Sequence, residues 1–250
     1  MEKSYGKFAE LYDKLTFDVP YKEYADFVEL QIKKHNLKPE LVFDLACGTG
    51  TFAGELSARG YDVIAADASE EMLDCAIRKF GQGKILFLNQ PMQDFELFGT
   101  VDVIICMLDS INYLTEREDL DRTFALCSNY LNDGGLFLFD VNSEYKFKNI
   151  FKDNIYTYET EDIFYVWENS YNEEEKLCDF FLTFFKENNN GLYERIDEHH
   201  FERCYSDEEI TKLLETNGFE ITGRFDGYSE EAAKSESERI LYSAVKRRKS

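Results

Sequence analysis

Residues that bind transition metals or form redox pairs are scarce in this sequence. Its 250 residues include six cysteines and three histidines, and no Cys-x-x-Cys motif occurs. A zinc ribbon and a dithiol redox motif are therefore excluded, and the histidines are too few for a multi-histidine metal site. We expect no metal site, and we expect the cysteines to be reduced thiols in a reducing compartment.

Long apolar runs and positive charge are also lacking. No apolar run approaches the roughly 18 residues of a membrane helix, and the first residues lead into no apolar signal core. We therefore expect a cytoplasmic protein without a membrane segment. Lys and Arg number 28 against 50 Asp and Glu, which gives a net charge of −22. Such a chain repels a phosphate backbone, so we expect a small-molecule ligand and no nucleic acid; the oligomeric state is not indicated.

Short apolar runs alternate with amphipathic stretches in the first part of the chain. Because near-continuous apolar strands separated by helices are typical of a parallel sheet covered on both faces, this pattern predicts a doubly wound α/β fold. Two last strands, 219–227 and 239–245, have too short a connection for a helical crossover, so we expect them to be antiparallel. The result is a Rossmann-like seven-stranded sheet with an antiparallel last strand. The five earlier strands are predicted at 41–45, 61–67, 85–88, 101–106 and 136–140.

The pattern of apolar residues changes after the fifth predicted strand. Three stretches rich in aromatic and β-branched residues are joined by Asn- and Glu-rich turns, which predicts an inserted antiparallel β-meander. Helix starts are indicated by capping residues: Ser69 can cap one helix, and Thr115 to Glu118 and Ser206 to Glu209 have the spacing of capping boxes. The three predicted strands of the insert are 162–171, 178–185 and 192–201.

A glycine-rich loop lies between the first strand and the helix after it. Glycines there let a ligand approach the backbone, and the helix start offers free N–H groups. Asp67, at the end of the second strand, can accept both ribose hydroxyls of an adenosine. Gly48 to Ala53 also satisfies the loose pattern of dinucleotide enzymes, and glycines that only make a tight turn remain a third interpretation.

Three features favour S-adenosylmethionine (SAM) over a dinucleotide. Asp44 stands where a nicotinamide fingerprint usually keeps an apolar strand residue, and a carboxylate suits the cationic methionine end of SAM but repels a pyrophosphate. About 40 residues precede the first strand, whereas dinucleotide domains often open with theirs. The antiparallel last strand is a topology that dehydrogenases generally lack.

Four segments carry a resemblance to a known family: Asp44-Leu45-Ala46-Cys47-Gly48-Thr49-Gly50, Asp67-Ala68-Ser69-Glu70-Glu71-Met72-Leu73, Pro91-Met92-Gln93-Asp94-Phe95 and Leu108-Asp109-Ser110-Ile111-Asn112-Tyr113-Leu114. With them the chain resembles the class I SAM-dependent methyltransferases over nearly its whole length. Residues 41–114 look most like the small-molecule branch, which includes bacterial members with a β-rich insert. The resemblance implies a helical lid at 1–39, a SAM-binding domain at 40–141 and 206–250, and an insert at 142–205 that covers the substrate.

The resemblance also implies roles by position. The loop would wrap the methionine portion, Asp67 would hold the ribose, and residues after the second and third strands would meet adenine. Where the family often has an aspartate for the adenine amino group, this chain has Pro91, so Gln90 or Gln93 would substitute or recognition would be weaker. The predicted cofactor-binding residues are Asp44, Ala46, Cys47, Gly48, Thr49, Gly50, Asp67, Ala68, Met72, Met92, Gln93, Leu108, Tyr12 and Tyr21.

Tyr12 or Tyr21 would touch the methionine end from an N-terminal helix, although the helical spacing of Tyr21, Tyr24 and Phe27 also fits plain core packing. Candidates for a catalytic base are few. Asp109 follows the fourth strand at the carboxyl edge, or it is only a turn residue. His200 would face a cavity beneath the insert, with His199 on the opposite face, or it is an ordinary strand residue.

The sequence thus predicts a SAM-dependent methyltransferase that moves the sulfonium methyl to a nucleophilic N or O atom of a small molecule, mainly by proximity and alignment. Three alternatives remain at this stage. They are a nicotinamide-dependent oxidoreductase, a catalytically silent SAM-binding module, and a partner-guided RNA methyltransferase, which the net charge disfavours.

Overall fold

The computed structural model describes residues 5–16, 18–81, 83–160, 162–188 and 190–248. The strands are β1 (Leu41–Leu45), β2 (Asp62–Asp67), β3 (Ile85–Asn89), β4 (Val101–Cys106), β5 (Leu131–Asn142), β6 (Ile155–Glu159), β7 (Ile163–Asn172), β8 (Leu177–Glu187), β9 (Tyr193–Arg203), β10 (Phe219–Asp226) and β11 (Arg239–Lys246). The α-helices are α1 (Tyr5–Leu15), α2 (Tyr21–Lys34), α3 (Thr51–Ala58), α4 (Glu70–Phe80), α5 (Arg117–Tyr130) and α6 (Asp207–Thr216). Within the described ranges, no helix is long and apolar enough to cross a bilayer.

Seven strands form one mixed sheet in the order β10-β11-β5-β4-β1-β2-β3. The strands from β1 to β5 pair in parallel, and β11 runs antiparallel between β5 and β10. The predicted doubly wound sheet with an antiparallel last strand is confirmed. The order reverses between β1 and β4, and the loops at that switch point leave a crevice at the carboxyl edge of the sheet.

Alternating side chains of β1 show how the sheet acquires two cores. Phe43 and Leu45 pack on one face with residues of α5 and α6. Val42 points to the other face and packs with residues of α2 and α3. Because both faces are covered, every second residue is apolar on each side and the strands appear as continuous apolar runs in the sequence.

The insert forms a separate antiparallel sheet in the order β6-β7-β8-β9. The predicted meander corresponds to β7, β8 and β9, and the prediction missed β6. All five residues of β6 are exposed, so this edge strand has no inside-outside alternation in the sequence. The fifth strand of the main sheet is also longer at both ends than predicted.

Helix α1 bridges the two sheets. Its Leu11 is buried against Ile163 and Phe184 of the insert, and its Lys14 forms an ion pair with Asp162. The other side of α1 contacts α4 and the glycine loop. The helix therefore lies across the carboxyl edge of the main sheet.

Two of the three predicted helix caps are confirmed. Ser69 accepts a hydrogen bond from the N–H of Met72, and Ser206 with Glu209 forms a complete capping box. The prediction of a capping box that starts at Thr115 is wrong. The N-cap of α5 is the next residue, Glu116, and its side chain makes no capping hydrogen bond. Just before this helix, the backbone carbonyl of Leu114 accepts a hydrogen bond from Tyr205 Oη.

Candidate active site

The glycine loop after β1 alternates in backbone handedness. Ala46, Gly48 and Gly50 have φ of 64°, 53° and 71°. A Cβ on Gly50 would lie 2.9 Å from Cβ of Ala76, whereas a Cβ on Gly48 would meet nothing within 4 Å. Gly50 is therefore required by packing against α4, and Gly48 leaves open space above the backbone for a ligand. Ala46 accepts a left-handed conformation that costs about 1 kcal/mol, as is common at functional loops.

Asp67 lies against this loop. Its two carboxylate oxygens accept hydrogen bonds from the N–H of Gly48 at 2.7 Å and of Ser69 at 2.8 Å. Burial raises the pKa of Asp67, while these N–H donors lower it. The carboxylate is thus held at the mouth of the loop, where the sequence placed the ribose.

Asp44, in β1, has fewer hydrogen-bond partners than Asp67. It is 2% exposed, and one of its carboxylate oxygens has no hydrogen-bond partner among the described residues. Burial, with the charge of Asp67, raises the pKa of Asp44 to about 7. An unpaired buried carboxylate is costly unless a ligand supplies its partner, and an ammonium group would do so.

Asp44 and the glycine loop line a hollow that is open to solvent on one side. Many of the predicted cofactor residues line it, and the prediction missed Thr51, Phe52, Met107 and Ser110. The predicted residues that line it are Tyr12, Tyr21, Asp44, Ala46, Cys47, Gly48, Thr49 and Leu108.

The other predicted cofactor residues are not among those that line this hollow; they are Asp67, Ala68, Met72, Met92 and Gln93. Ala68 is exposed, and Met72 and Gln93 are half-buried. Met92 turns its sulfur toward Cys106 Sγ at 3.8 Å, so its side chain packs on the core and only its backbone is left for a ring edge.

Of the two glutamines proposed to replace the missing aspartate, Gln90 already makes a hydrogen bond within the protein. Its Oε1 accepts from the N–H of Glu96 at 3.0 Å. Gln93 has no such bond among the described contacts, and it therefore remains the better candidate for the adenine amino group.

Helix α1 is tied to the loop by a residue that sequence reasoning missed. Asp13 Oδ1 accepts from Thr49 Oγ1 at 2.6 Å, and its Oδ2 pairs with Lys79 Nζ at 2.6 Å. Asp13 is adjacent to Tyr12, which lines the hollow. The only signal in the sequence was its position beside a predicted cofactor tyrosine.

The loop after β4 has a strained backbone. Leu108 and Asp109 both have left-handed φ, 57° and 53°. The N–H groups of these two residues donate to the two carboxylate oxygens of Asp140, at 2.7 and 2.9 Å. Asp140 is fully buried and also accepts from Tyr228 Oη at 2.6 Å. Two adjacent non-glycine residues in this region mark a functional loop whose surroundings hold it in place.

Asp109 forms an ion pair with Arg239 at 2.5 Å. Burial alone would raise its pKa, but Arg239 and Lys146 hold the pKa below the ordinary value. Asp109 is therefore ionised. This makes it a weaker proton acceptor than the sequence prediction supposed and a better partner for positive charge.

Of the two adjacent histidines, His199 is exposed and pairs with Asp179 at 2.5 Å. His200 is half-buried, and its ring lies 5.9 Å from that of Tyr113. Burial, with the neighbouring His199, lowers its pKa. Tyr113 itself is 46% exposed, so the pair of rings reaches the surface of the protein.

A fold with this strand order, a glycine loop after β1 and a ribose-type carboxylate after β2 defines a Rossmann-like class of cofactor enzymes. The unpaired oxygen of Asp44 fits the cationic methionine end of SAM and does not fit a pyrophosphate. Residues 42–135 match the methyltransferase domain family.

Comparison with known proteins agrees with this geometry. The chain is 35% identical over 246 residues to a protein of Geobacillus sp. (strain WCH70) assigned as a methyltransferase, covering 97% of this chain and 100% of the relative. A solved structure from Clostridium acetobutylicum ATCC 824, described as a SAM-dependent methyltransferase, superposes with a TM-score of 0.89 at 35% identity, covering 98% and 100% of the two chains. A dTDP-3-amino-3,6-dideoxy-α-D-glucopyranose N,N-dimethyltransferase of Streptomyces fradiae is 31% identical over 134 residues, about half of each chain.

The chain therefore belongs to the SAM-dependent methyltransferases, and its cofactor is SAM. The predicted family, fold and cofactor are confirmed. The nicotinamide alternative is wrong, and so is the reading as a silent module, because the relatives are enzymes of methyl transfer.

Proposed function

We propose that this enzyme methylates the nitrogen of a small-molecule amine. The observation that carries the proposal is the position of the Asp109 carboxylate beside the cofactor hollow, where Arg239 holds it in an ion pair. It follows directly on Leu108, which lines that hollow. A carboxylate oxygen beside aromatic rings favours an ammonium group as ligand.

The aromatic walls are tyrosines from two different elements. Tyr12 of α1 lines the hollow and lies close enough to Asp109 and Asp67 for both charges to raise its pKa, after the larger effect of burial. Tyr113, on the short helix Ser110–Tyr113, lies near Asp109 and Tyr12 and is partly exposed. The carboxylate and the two tyrosines thus lie near one another, and Tyr12 connects them to the hollow.

The chain's contribution to catalysis is alignment and exclusion of water. SAM, when bound, supplies an electrophilic methyl group and its own leaving group. Asp109 and the tyrosines would orient the acceptor nitrogen in line with that methyl, and α1 would shield the site from solvent. These two effects can supply most of the rate enhancement of a direct displacement.

Other features support a small acceptor and a cytoplasmic location. The net charge of −22 opposes nucleic acid, and all six cysteines are free thiols, as a reducing compartment allows. The Streptomyces fradiae relative is named for N-methylation of an amino sugar, which favours nitrogen over oxygen as the acceptor atom.

The proposal is tested by transfer of tritiated methyl from SAM to matched pairs of acceptors. Each pair is an amine and its hydroxyl analogue, including glycine, sarcosine and 3-aminosugars. We expect label on amines only, with kcat/KM at least about tenfold lower in Asp109→Asn. Asp153→Asn, an exposed site of the insert, is the control and keeps full activity. Label that appears on hydroxyl compounds or RNA instead would overturn the proposal.

A further inference from the structure

The connection between β10 and β11 contacts the cofactor hollow through one tyrosine, Tyr228. Its hydroxyl group donates to Asp140 Oδ1 at 2.6 Å and accepts from the N–H of Leu108 at 3.2 Å. The same N–H of Leu108 also donates to Asp140 Oδ1, at 2.7 Å. The three groups therefore form a closed triangle of hydrogen bonds, and one corner is the backbone of a residue that lines the hollow.

The other oxygen of Asp140 holds the next residue of the loop. Asp140 Oδ2 accepts from the N–H of Asp109 at 2.9 Å and from Arg239, the first residue of β11. Arg239 also donates to Asp109 Oδ1 at 2.5 Å. Each oxygen of this buried carboxylate thus accepts from two donors, and the antiparallel pair β10–β11 supplies one donor to each.

These bonds hold a backbone conformation that side chains other than glycine rarely adopt. Leu108 and Asp109 both have left-handed φ, and such residues persist only where the surroundings fix them. If a bond to the loop is lost, the backbone can relax toward commoner conformations. The wall that Leu108 forms would then have to be ordered again each time a ligand binds.

The ring of Tyr228 connects this loop to a second wall of the hollow. It stacks on the ring of Tyr24 in α2, with a centroid distance of 3.4 Å and an angle of 11° between the planes. Tyr24 lies about one helical turn after Tyr21, which lines the hollow. The hydroxyl group of Tyr228 thus contacts the loop after β4, and its ring contacts the helix on which Tyr21 lies.

We propose that Tyr228 is a positioning residue for the cofactor. It acts through Leu108 and Tyr24, and it holds two walls of the hollow in place before the ligand arrives. Binding then does not have to order them, which increases the affinity. This role concerns the cofactor alone, so it does not depend on which atom accepts the methyl group.

Calorimetric titration of S-adenosylhomocysteine against Tyr228→Phe tests the proposal. The substitution removes the hydroxyl group and keeps a ring that can stack on Tyr24. We expect the Kd to rise by about three- to tenfold. Tyr228→Leu, which also loses the ring stack, should weaken binding further.

The matched control is Tyr242→Phe. The hydroxyl group of Tyr242 donates to Asp207 Oδ1 at 2.8 Å, so this variant also loses a bond between a phenol and a carboxylate. Tyr242 packs in the core on one face of the main sheet, whereas Leu108 packs on the other face. Tyr242→Phe should therefore lower the melting temperature and keep the wild-type Kd. An unchanged Kd in Tyr228→Phe, or an equal rise in both variants, would overturn the proposal.

If Tyr228→Phe does not fold, hydrogen exchange in the wild type decides. Because the proposal has the loop held before binding, the amide hydrogens of Leu108 and Asp109 should exchange slowly in the protein without ligand, as measured by NMR. Fast exchange that becomes slow only when S-adenosylhomocysteine is added would show that the ligand orders the loop, and it would overturn the proposal.

Discussion

At the scale of single residues, the two aspartates beside the loop after β1 differ in how their carboxylate oxygens are bonded. Asp67 has both oxygens occupied by backbone N–H groups, which fixes its orientation for neutral hydroxyl donors. Asp44 keeps one oxygen without a partner among the described residues. The first is preorganised to accept weak donors, and the second gains a full hydrogen bond only when a cation arrives.

The raised pKa of Asp44, about 7, predicts a pH-dependent affinity. Below that pH Asp44 is neutral and attracts an ammonium group less, so affinity for S-adenosylhomocysteine should fall by up to about tenfold from pH 8 to pH 6. Asp44→Asn should bind weakly at both pH values. Adenosine, which lacks the amino-acid group, serves as the control ligand and should show no such slope in calorimetric titration.

The same shift has a consequence for the free protein. Since the folded-state pKa of Asp44 lies above the unfolded value, its contribution to stability is complete below pH 4 and is lost as pH rises through about 7. Thermal melts of the free wild type and Asp44→Asn should therefore diverge toward high pH, with the variant the more stable. An affinity slope that remains in Asp44→Asn would contradict this account.

The loop residues that line the hollow could be predicted because they are local in sequence. A strand, a glycine turn and a helix fix the positions of residues 44–50 and of Asp67. The residues around Asp109 could not be predicted, since their partners come from distant parts of the chain. Asp140 and Arg239 lie near the ends of two strands that only the tertiary fold brings together, and no periodicity marks them.

At the scale of elements, α1 couples the cofactor loop to the insert. Asp13 is bonded to the loop and to Lys79, and Leu11 is buried against the insert sheet. From these contacts we predict that α1 acts as a lid over the hollow.

We predict that Asp13→Ala speeds dissociation of S-adenosylhomocysteine by about three- to tenfold, because a charge-assisted contact that holds α1 over the hollow is lost. Stopped-flow displacement measures this rate. Lys14→Ala is the matched control, because it removes an exposed ion pair of the same helix to the insert and such pairs contribute little. Equal dissociation rates in Asp13→Ala and wild type would show that α1 does not gate the hollow.

The elements that were mispredicted share a cause. Edge strand β6 buries none of its residues, and the carbonyl of Leu114, before α5, is bonded to Tyr205, which is distant in sequence. Local patterns predict elements that pack on the core with one face. They fail where an element has no buried face or where a distant residue fixes its end.

At the scale of the whole molecule, the two sheets and α1 meet at the carboxyl edge of β1 and β4. Loops of the main sheet line the hollow together with Tyr12 and Tyr21, and the insert places His200 beside Tyr113. The excess of acidic residues suits a ligand whose amino and sulfonium groups are cationic. The account as a whole depends on an adenosine whose ribose is held by Asp67.

Calorimetric titration of S-adenosylhomocysteine against Asp67→Asn tests that claim most directly. Asp62→Asn is the control, because Asp62 is an exposed aspartate at the other end of the same strand. Loss of a carboxylate that accepts ribose hydroxyls should weaken binding by about 10- to 100-fold, with Asp62→Asn unchanged. A folded Asp67→Asn protein that binds S-adenosylhomocysteine as tightly as the wild type would contradict the assignment.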